Sequence, residues 1–117
     1  MRLTLDSLSV MDAIDRRGSF AAAAEELHRV PSAVTYSISK LEDDLGVTLF
    51  DRSGHRAVLT PAGKELLQEG RHLLNAAINL EDRVKRVATG WESELRIAIG
   101  DLVNLDVLFE LIRLFYQ

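Results

Sequence analysis

Apolar residues recur at helical spacing in several blocks along this chain, broken once by a short alternating stretch. Leu5, Leu8, Met11 and Ile14 follow one another at steps of three, the drifting stripe of a first helix. Phe20, Ala23, Ala24 and Leu27 form the inner face of a second, and Ser19 stands where its hydroxyl can accept from an orphan N–H. Val34, Ile38, Leu41 and Leu45 mark a third helix from about Pro31, closed by the αL-tolerant Gly46. Small alanines in the second helix permit close crossing, and the link between second and third has room only for a tight turn. The helix-turn-helix spans about residues 20–39. Thr48–Asp51 and Arg56–Leu59 then alternate as strands around Ser53-Gly54-His55, predicting a β-hairpin whose Leu49, Phe50, Val58 and Leu59 cover the three-helix core.

Thr60-Pro61 starts a long helix, with Thr60 as N-cap and Pro61 in the first turn. Along it, Leu66, Gly70, Leu73, Ala77, Leu80, Val84 and Val87 step alternately by four and three, the repeat of a two-helix seam. A second stripe, Leu67, Leu74 and Ile78, is expected to face the first three helices. Gly90-Trp91 reads as a boundary. Leu95, Ile97 and Ile99 alternate as a strand, a turn is expected at Gly100-Asp101, and eleven of the 16 residues Leu102–Gln117 are apolar, as in a core helix. One strand and one helix cannot make a core alone, so this segment reads as the truncated start of an α/β domain.

The chemistry lies on the outer faces. Opposite the apolar stripe of the third helix stand Ser32, Thr35, Tyr36 and Ser39, with Ala33 beside them, short groups suited to base edges in a major groove. The hairpin carries Arg52, His55 and Arg56 with Gly54 between, while Ser19, Arg29 and Lys40 lie near helix ends. These six are candidates for phosphate contact. A hairpin with this charge placed directly after a helix-turn-helix is a wing, which favours duplex DNA as the partner over a merely packed helical hairpin.

GSFAAAAEEL, SKLEDDLGVTLFDRSGHR and LTPAGKELL, in this order and spacing, resemble the winged helix-turn-helix of LysR-type transcriptional regulators. The resemblance implies a mainly α fold divided as residues 1–60, a winged helix-turn-helix; 61–90, a dimerisation linker helix; and 91–117, the start of an effector-binding domain. It further implies a homodimer or homotetramer on an interrupted palindromic operator, with antiparallel linker helices, and a small-molecule effector acting only in the full-length protein. One departure is notable. Where the family customarily has Gln and Arg in the recognition helix, this chain has Pro31 and Tyr36.

Composition qualifies this picture. The net charge is −4, and residues 1–65 hold eight Lys or Arg against ten Asp or Glu. At a Debye length of about 8 Å, the local placement of cations decides attraction, and non-specific affinity is expected to be weak. Cysteine is absent, which excludes a disulfide framework or thiolate metal site. Asp6 and Asp12 interrupt the opening where a secretory signal needs an apolar run, and no stretch is long enough to span a membrane, so a cytoplasmic protein is expected. His28, His55 and His72 fall on separate elements without metal-ligand spacing; His28 is expected to pack in the turn and His72 to lie on the surface. Glu25–Glu26 and Asp43–Asp44 are consecutive and read as solvated charge. No enzyme, metal or cofactor is expected. The competing reading is a helical dimerisation module that keeps the winged fold without reading DNA.

Overall fold

A computed structural model describes residues 1–100 and 105–115 of the chain. Two compact units emerge, Met1–Ala77 and Ile78–Gln117. In the first, α1 (Leu5–Arg17), α2 (Phe20–Leu27) and α3 (Pro31–Leu45) pack around one core, followed by β1 (Phe50–Asp51) and β2 (Val58–Leu59). Helix α4 (Pro61–Gly100) begins in this unit and continues into the second, which also holds α5 (Leu105–Phe115). The mainly α, winged helix-turn-helix architecture read from the sequence is the one observed.

Each helix end has a local cause. Thr4 and Ser7 form a reciprocal capping box on α1: the Ser7 N–H donates to Thr4 Oγ1 at 3.0 Å and the Thr4 N–H to Ser7 Oγ at 3.3 Å. The Ala22 N–H donates to Ser19 Oγ at 3.0 Å, so Ser19 caps α2 as its position predicts. Gly46 closes α3 at φ 69°. His28 closes α2 in the same left-handed region, at φ 55°. It is exposed there rather than packed, because the tight α2–α3 turn is made by its backbone and leaves the imidazole in solvent.

Leu8, Val10, Met11, Ala13 and Ile14 of α1 meet Ala23 and Ala24 of α2 and Val34, Ile38 and Leu41 of α3, all buried. Burying each large member contributes roughly 1.5–3 kcal/mol. Leu49 and Phe50 complete the core from the wing, whereas Leu5, Leu45 and Val58 at the ends of their stripes are exposed. The wing's ladder is shorter than expected. Only Phe50↔Leu59 and Asp51↔Val58 pair, while the Thr60 hydroxyl donates to the Thr48 carbonyl and its N–H to that of Leu49.

Helix α4 docks onto this core through glycine. A Cβ at Gly63 would strike the carbonyl oxygen of Leu49, and one at Gly70 would lie 2.6 Å from Leu8 Cδ2. Leu67 between them is buried and Leu66 packs against the same core. Leu66 and Gly70, expected in the intermolecular seam, are therefore committed to contacts within the chain. The missing side chain at Gly70 is what lets Leu8 approach.

The strand expected over Leu95, Ile97 and Ile99 is helical, as is the boundary expected at Gly90-Trp91, because α4 runs unbroken to Gly100. A strand needs neighbours to satisfy its N–H and C=O groups, whereas a helix satisfies them within itself. The expected Gly100-Asp101 turn falls at Asp101 outside the described residues, as do Leu102, Val103, Tyr116 and Gln117 of the apolar tail. In the second unit, Trp91 and Phe115 meet edge to face at 5.2 Å and border an apolar groove of about 570 Å³ with Leu80, Val84 and Val87.

Candidate nucleic-acid interface

Helix α3 is two-faced, as its sequence period requires. Its buried stripe fixes the roll of the helix, and this turns Ser32, Ala33, Tyr36 and Ser39 outward, with Thr35 half-buried beside them. Tyr36 is 68% exposed and Val30, at the helix start, 64%. The five residues expected at base edges thus share one accessible side of a rigid helix.

The six expected phosphate contacts separate into two groups and one isolated member. Around the start of α2, Arg52 stacks its guanidinium carbon 3.7 Å from the centre of the Phe20 ring, which itself meets Phe50 edge to face at 5.6 Å. Arg56 lies against Gly18, where an added Cβ would fall 2.6 Å from its Nη2, and the Ala57 N–H donates to the Gly18 carbonyl at 3.1 Å. Both wing arginines therefore fold back onto residues flanking Ser19. His55 is exposed at the hairpin turn.

Arg29 and Lys40 form the second group. Arg29 gives Asp6 a two-pronged ion pair, with Nη2 at 2.6 Å and Nη1 at 3.1 Å. Lys40 lies 3.5 Å from Asp44, which also accepts from Arg2 at 3.2 Å. With Tyr36 these groups line a cleft of about 310 Å³ between α1's start and α3. The hydrogen bond from Arg29 holds the Asp6 carboxyl below its ordinary range and raises the guanidinium in turn. These cations are already neutralised in part by acids of the same chain. Ser39 and Arg52, meanwhile, share a second groove with the acids Glu42 and Asp43.

The acidic residues are more engaged than a solvated face would be. Glu26 receives Arg16 at 2.6 and 3.1 Å, and the Leu49 N–H donates to the Glu42 carboxylate at 2.7 Å. Arg71 of α4, which sequence reasoning passed over, donates to both Asp12 and Asp15 of α1 at 2.9 Å. Burial pushes the Asp12 carboxyl up, but the hydrogen bonds from Arg16 and Arg71 outweigh it and the net shift is downward. Asp12 and Asp15 lie one helical turn apart, the only signal in the sequence that one cation could bridge them.

On α4, Leu73 remains exposed and Ala77 half-buried in the first unit. In the second, Leu80, Val84 and Val87 are exposed. Among the described residues no group of three or more His, Asp or Glu side chains is arranged to hold a metal ion, and no helix is long and apolar enough to cross a membrane.

Residues 5–64 match the model of the family described as bacterial regulatory helix-turn-helix protein, lysR family. The chain is 56% identical over 110 residues to the probable HTH-type transcriptional regulator YhaJ of Escherichia coli (strain K12), which covers 94% of this chain and 37% of that protein. It is 45% identical over 117 residues to the uncharacterized HTH-type transcriptional regulator YeeY of the same strain, covering 100% of this chain and 38% of that one. The chain thus spans little more than a third of the length of these relatives. Among solved structures it resembles the CbnR_DBD–DNA complex at 35% identity and a TM-score of 0.68, over 74% of this chain and 99% of that one. A BenM_DBD/catB site 1 DNA complex is similar at 28% identity and a TM-score of 0.71, over 74% and 97%.

Proposed function

The chain belongs to the lysR family of bacterial regulatory helix-turn-helix proteins, and from that premise we propose that it binds double-stranded DNA sequence-specifically as part of a transcription regulator. The observation that carries this reading is the exposed outer side of α3, where Ser32, Ala33, Tyr36 and Ser39 stand clear of the core beside a wing bearing Arg52, His55 and Arg56. The likeness to DNA-binding domains solved in complex with DNA supports it. Helix α3 enters the major groove by its N-terminal turns, with Thr35 completing the base-reading set. Ser19, Arg52, His55 and Arg56 position the duplex through its phosphates, and Arg29 and Lys40 join them once their acids are displaced.

One recognition helix covers only a few base pairs, so useful specificity calls for a second. Two copies pair through the outer stripe of α4, the exposed Leu73, Leu80, Val84 and Val87 with the half-buried Ala77, and engage the half-sites of an interrupted palindrome, as a dimer or as a pair of dimers. The full-length regulator senses a small-molecule effector through a domain continuing beyond residue 90, and works in the cytoplasm, where its operator is. This chain has no catalytic role in the reading.

The test is a gel shift of the chain on the regulator's own promoter region at two salt concentrations. A discrete complex that survives excess unrelated duplex is expected, weakening steeply as salt rises. Equal affinity for promoter and unrelated DNA would instead favour a dimerisation module that has kept the fold.

A further inference from the structure

Between Pro31 and Ser39, helix α3 carries no arginine, lysine, glutamine or asparagine. These are the side chains that make two parallel hydrogen bonds to guanine or adenine in the major groove. Their absence removes the usual means of choosing a purine. What the exposed side offers instead is hydroxyls and carbon: Val30, Ala33 and Tyr36 recur at i, i+3 and i+6, all exposed, with large apolar area held in water at Val30 and Tyr36. Side chains on a helix lean toward its N-terminus, and Tyr36 and Ala33, one turn apart, line one cleft, with Val30 exposed at the N-cap before them.

In a major groove only one base presents an apolar group to such an edge, the C5-methyl of thymine. The surroundings fit a duplex better than an apolar partner. Ala33 and Tyr36 line the same cleft as Arg2, Arg29 and Lys40, which pair there with Asp6 and Asp44 and would meet the phosphates beside the groove by exchanging those acids. Building on the DNA-binding reading above, we propose that this edge of α3 selects thymine, with Tyr36 and Ala33 enclosing C5-methyl groups and Val30 extending the contact at the helix start. Thr35 and Ser39 add single hydrogen bonds. The half-site is correspondingly rich in A·T pairs oriented with their methyls toward α3.

The experiment enriches a pool of randomised 30-base-pair duplexes on the chain, then measures Kd by fluorescence anisotropy for the winning duplex and for copies with each thymine replaced by deoxyuridine. The change deletes the methyl and leaves every hydrogen-bonding group in place. One or two positions per half-site should weaken binding about fourfold each, the worth of one buried methyl at about 0.8 kcal/mol. At those positions Tyr36→Ala should bind thymine and uracil duplexes equally, with the variant's fold checked by its helical circular dichroism. Enriched duplexes that bind equally well when every thymine is uracil would overturn the methyl reading and leave DNA binding intact. A pool showing no enrichment would overturn both.

Discussion

Replacing Gly63 by alanine tests whether α4 is held on the winged domain by close backbone approach. The added Cβ would meet the Leu49 carbonyl oxygen and lie 3.0 Å from Leu59 Cδ2. The obstacle is backbone, not the far end of a side chain that could swing away. That same carbonyl accepts the Thr60 N–H at 3.0 Å, so moving it loosens the bond that joins the wing to the start of α4. Overpacking of this kind costs roughly 1–3 kcal/mol, and weakening one hydrogen bond about 1 more. Against this, alanine in a helix gains about 0.5–1 kcal/mol over glycine.

The balance is a loss of about 2 kcal/mol, which for a domain of this size lowers Tm by roughly 8–16 °C. Gly90→Ala supplies the matched control. It makes the same chemical change in the same helix, where nothing lies within 4 Å of the new atom, so helical signal should rise slightly. Thermal unfolding followed at 222 nm reads both. A Gly63→Ala protein melting at the parent temperature would mean that α4 does not rest on the Leu49 carbonyl.

Arg56→Ala should weaken binding to all duplexes alike and reduce the salt slope by about one, as expected for a phosphate contact; a loss confined to one operator variant would make Arg56 a base reader. Leu73→Glu with Leu80→Glu should place like charges in the α4 stripe and give monomers in sedimentation, and a dimer that persisted would move the interface elsewhere. Asp6 and Asp12 titrate below their ordinary range in the folded state, Asp6 through the Arg29 hydrogen bond and Asp12 despite its burial. Groups with depressed folded pKa stabilise above the unfolded value, near about 4, and lose that contribution as pH falls through the folded one. Urea unfolding from pH 6 to 2.5 should show stability declining below about pH 4, and less steeply in Asp12→Asn. An identical slope in the variant would refute the Asp12 contribution.

Period alone made α1 to α3 readable, because each buries one stripe and sequence spacing maps directly onto a helix face. Val34, Ile38 and Leu41 went inward as their spacing demanded, and that settled which residues of α3 stand outside. The same logic failed where two faces compete for one helix. Leu66 and Gly70 keep the four-three alternation of the exposed stripe, yet Leu66 packs on the winged-domain core and Gly70 on Leu8 of α1, since early in the helix the nearest apolar surface is the chain's own. Alternation misled at Leu95, Ile97 and Ile99 for a related reason. Period two describes a strand only when other strands are present to complete its hydrogen bonds, and five residues are too few to exclude a helix.

Charge was the least legible property, because its effect depends on partners distant in sequence. Arg29 and Asp6 are separated by 23 positions, and Arg71 and Asp12 by 59. A census of residues 1–65 returns an acidic excess, but the structure distributes that excess unevenly. Asp6, Asp12, Asp15, Glu26 and Asp44 are each drawn into ion pairs with arginines or lysine of the same unit. The two wing arginines are seated on uncharged groups instead, Arg52 on the face of Phe20 and Arg56 in the open space at Gly18, although Arg52 shares its groove with Glu42 and Asp43. An arginine held by a ring keeps its long-range field, whereas one held by a carboxylate surrenders most of it within a Debye length. The wing can therefore attract a phosphate backbone although the chain as a whole is acidic. In the proposed complex, Arg29 and Lys40 would contribute only after contact, when phosphate competes directly with Asp6 and Asp44. On the proposed function, exchange of this kind would make first encounter depend on Arg52 and Arg56, and the tight complex on whether the groove fits α3 closely enough to displace the acids.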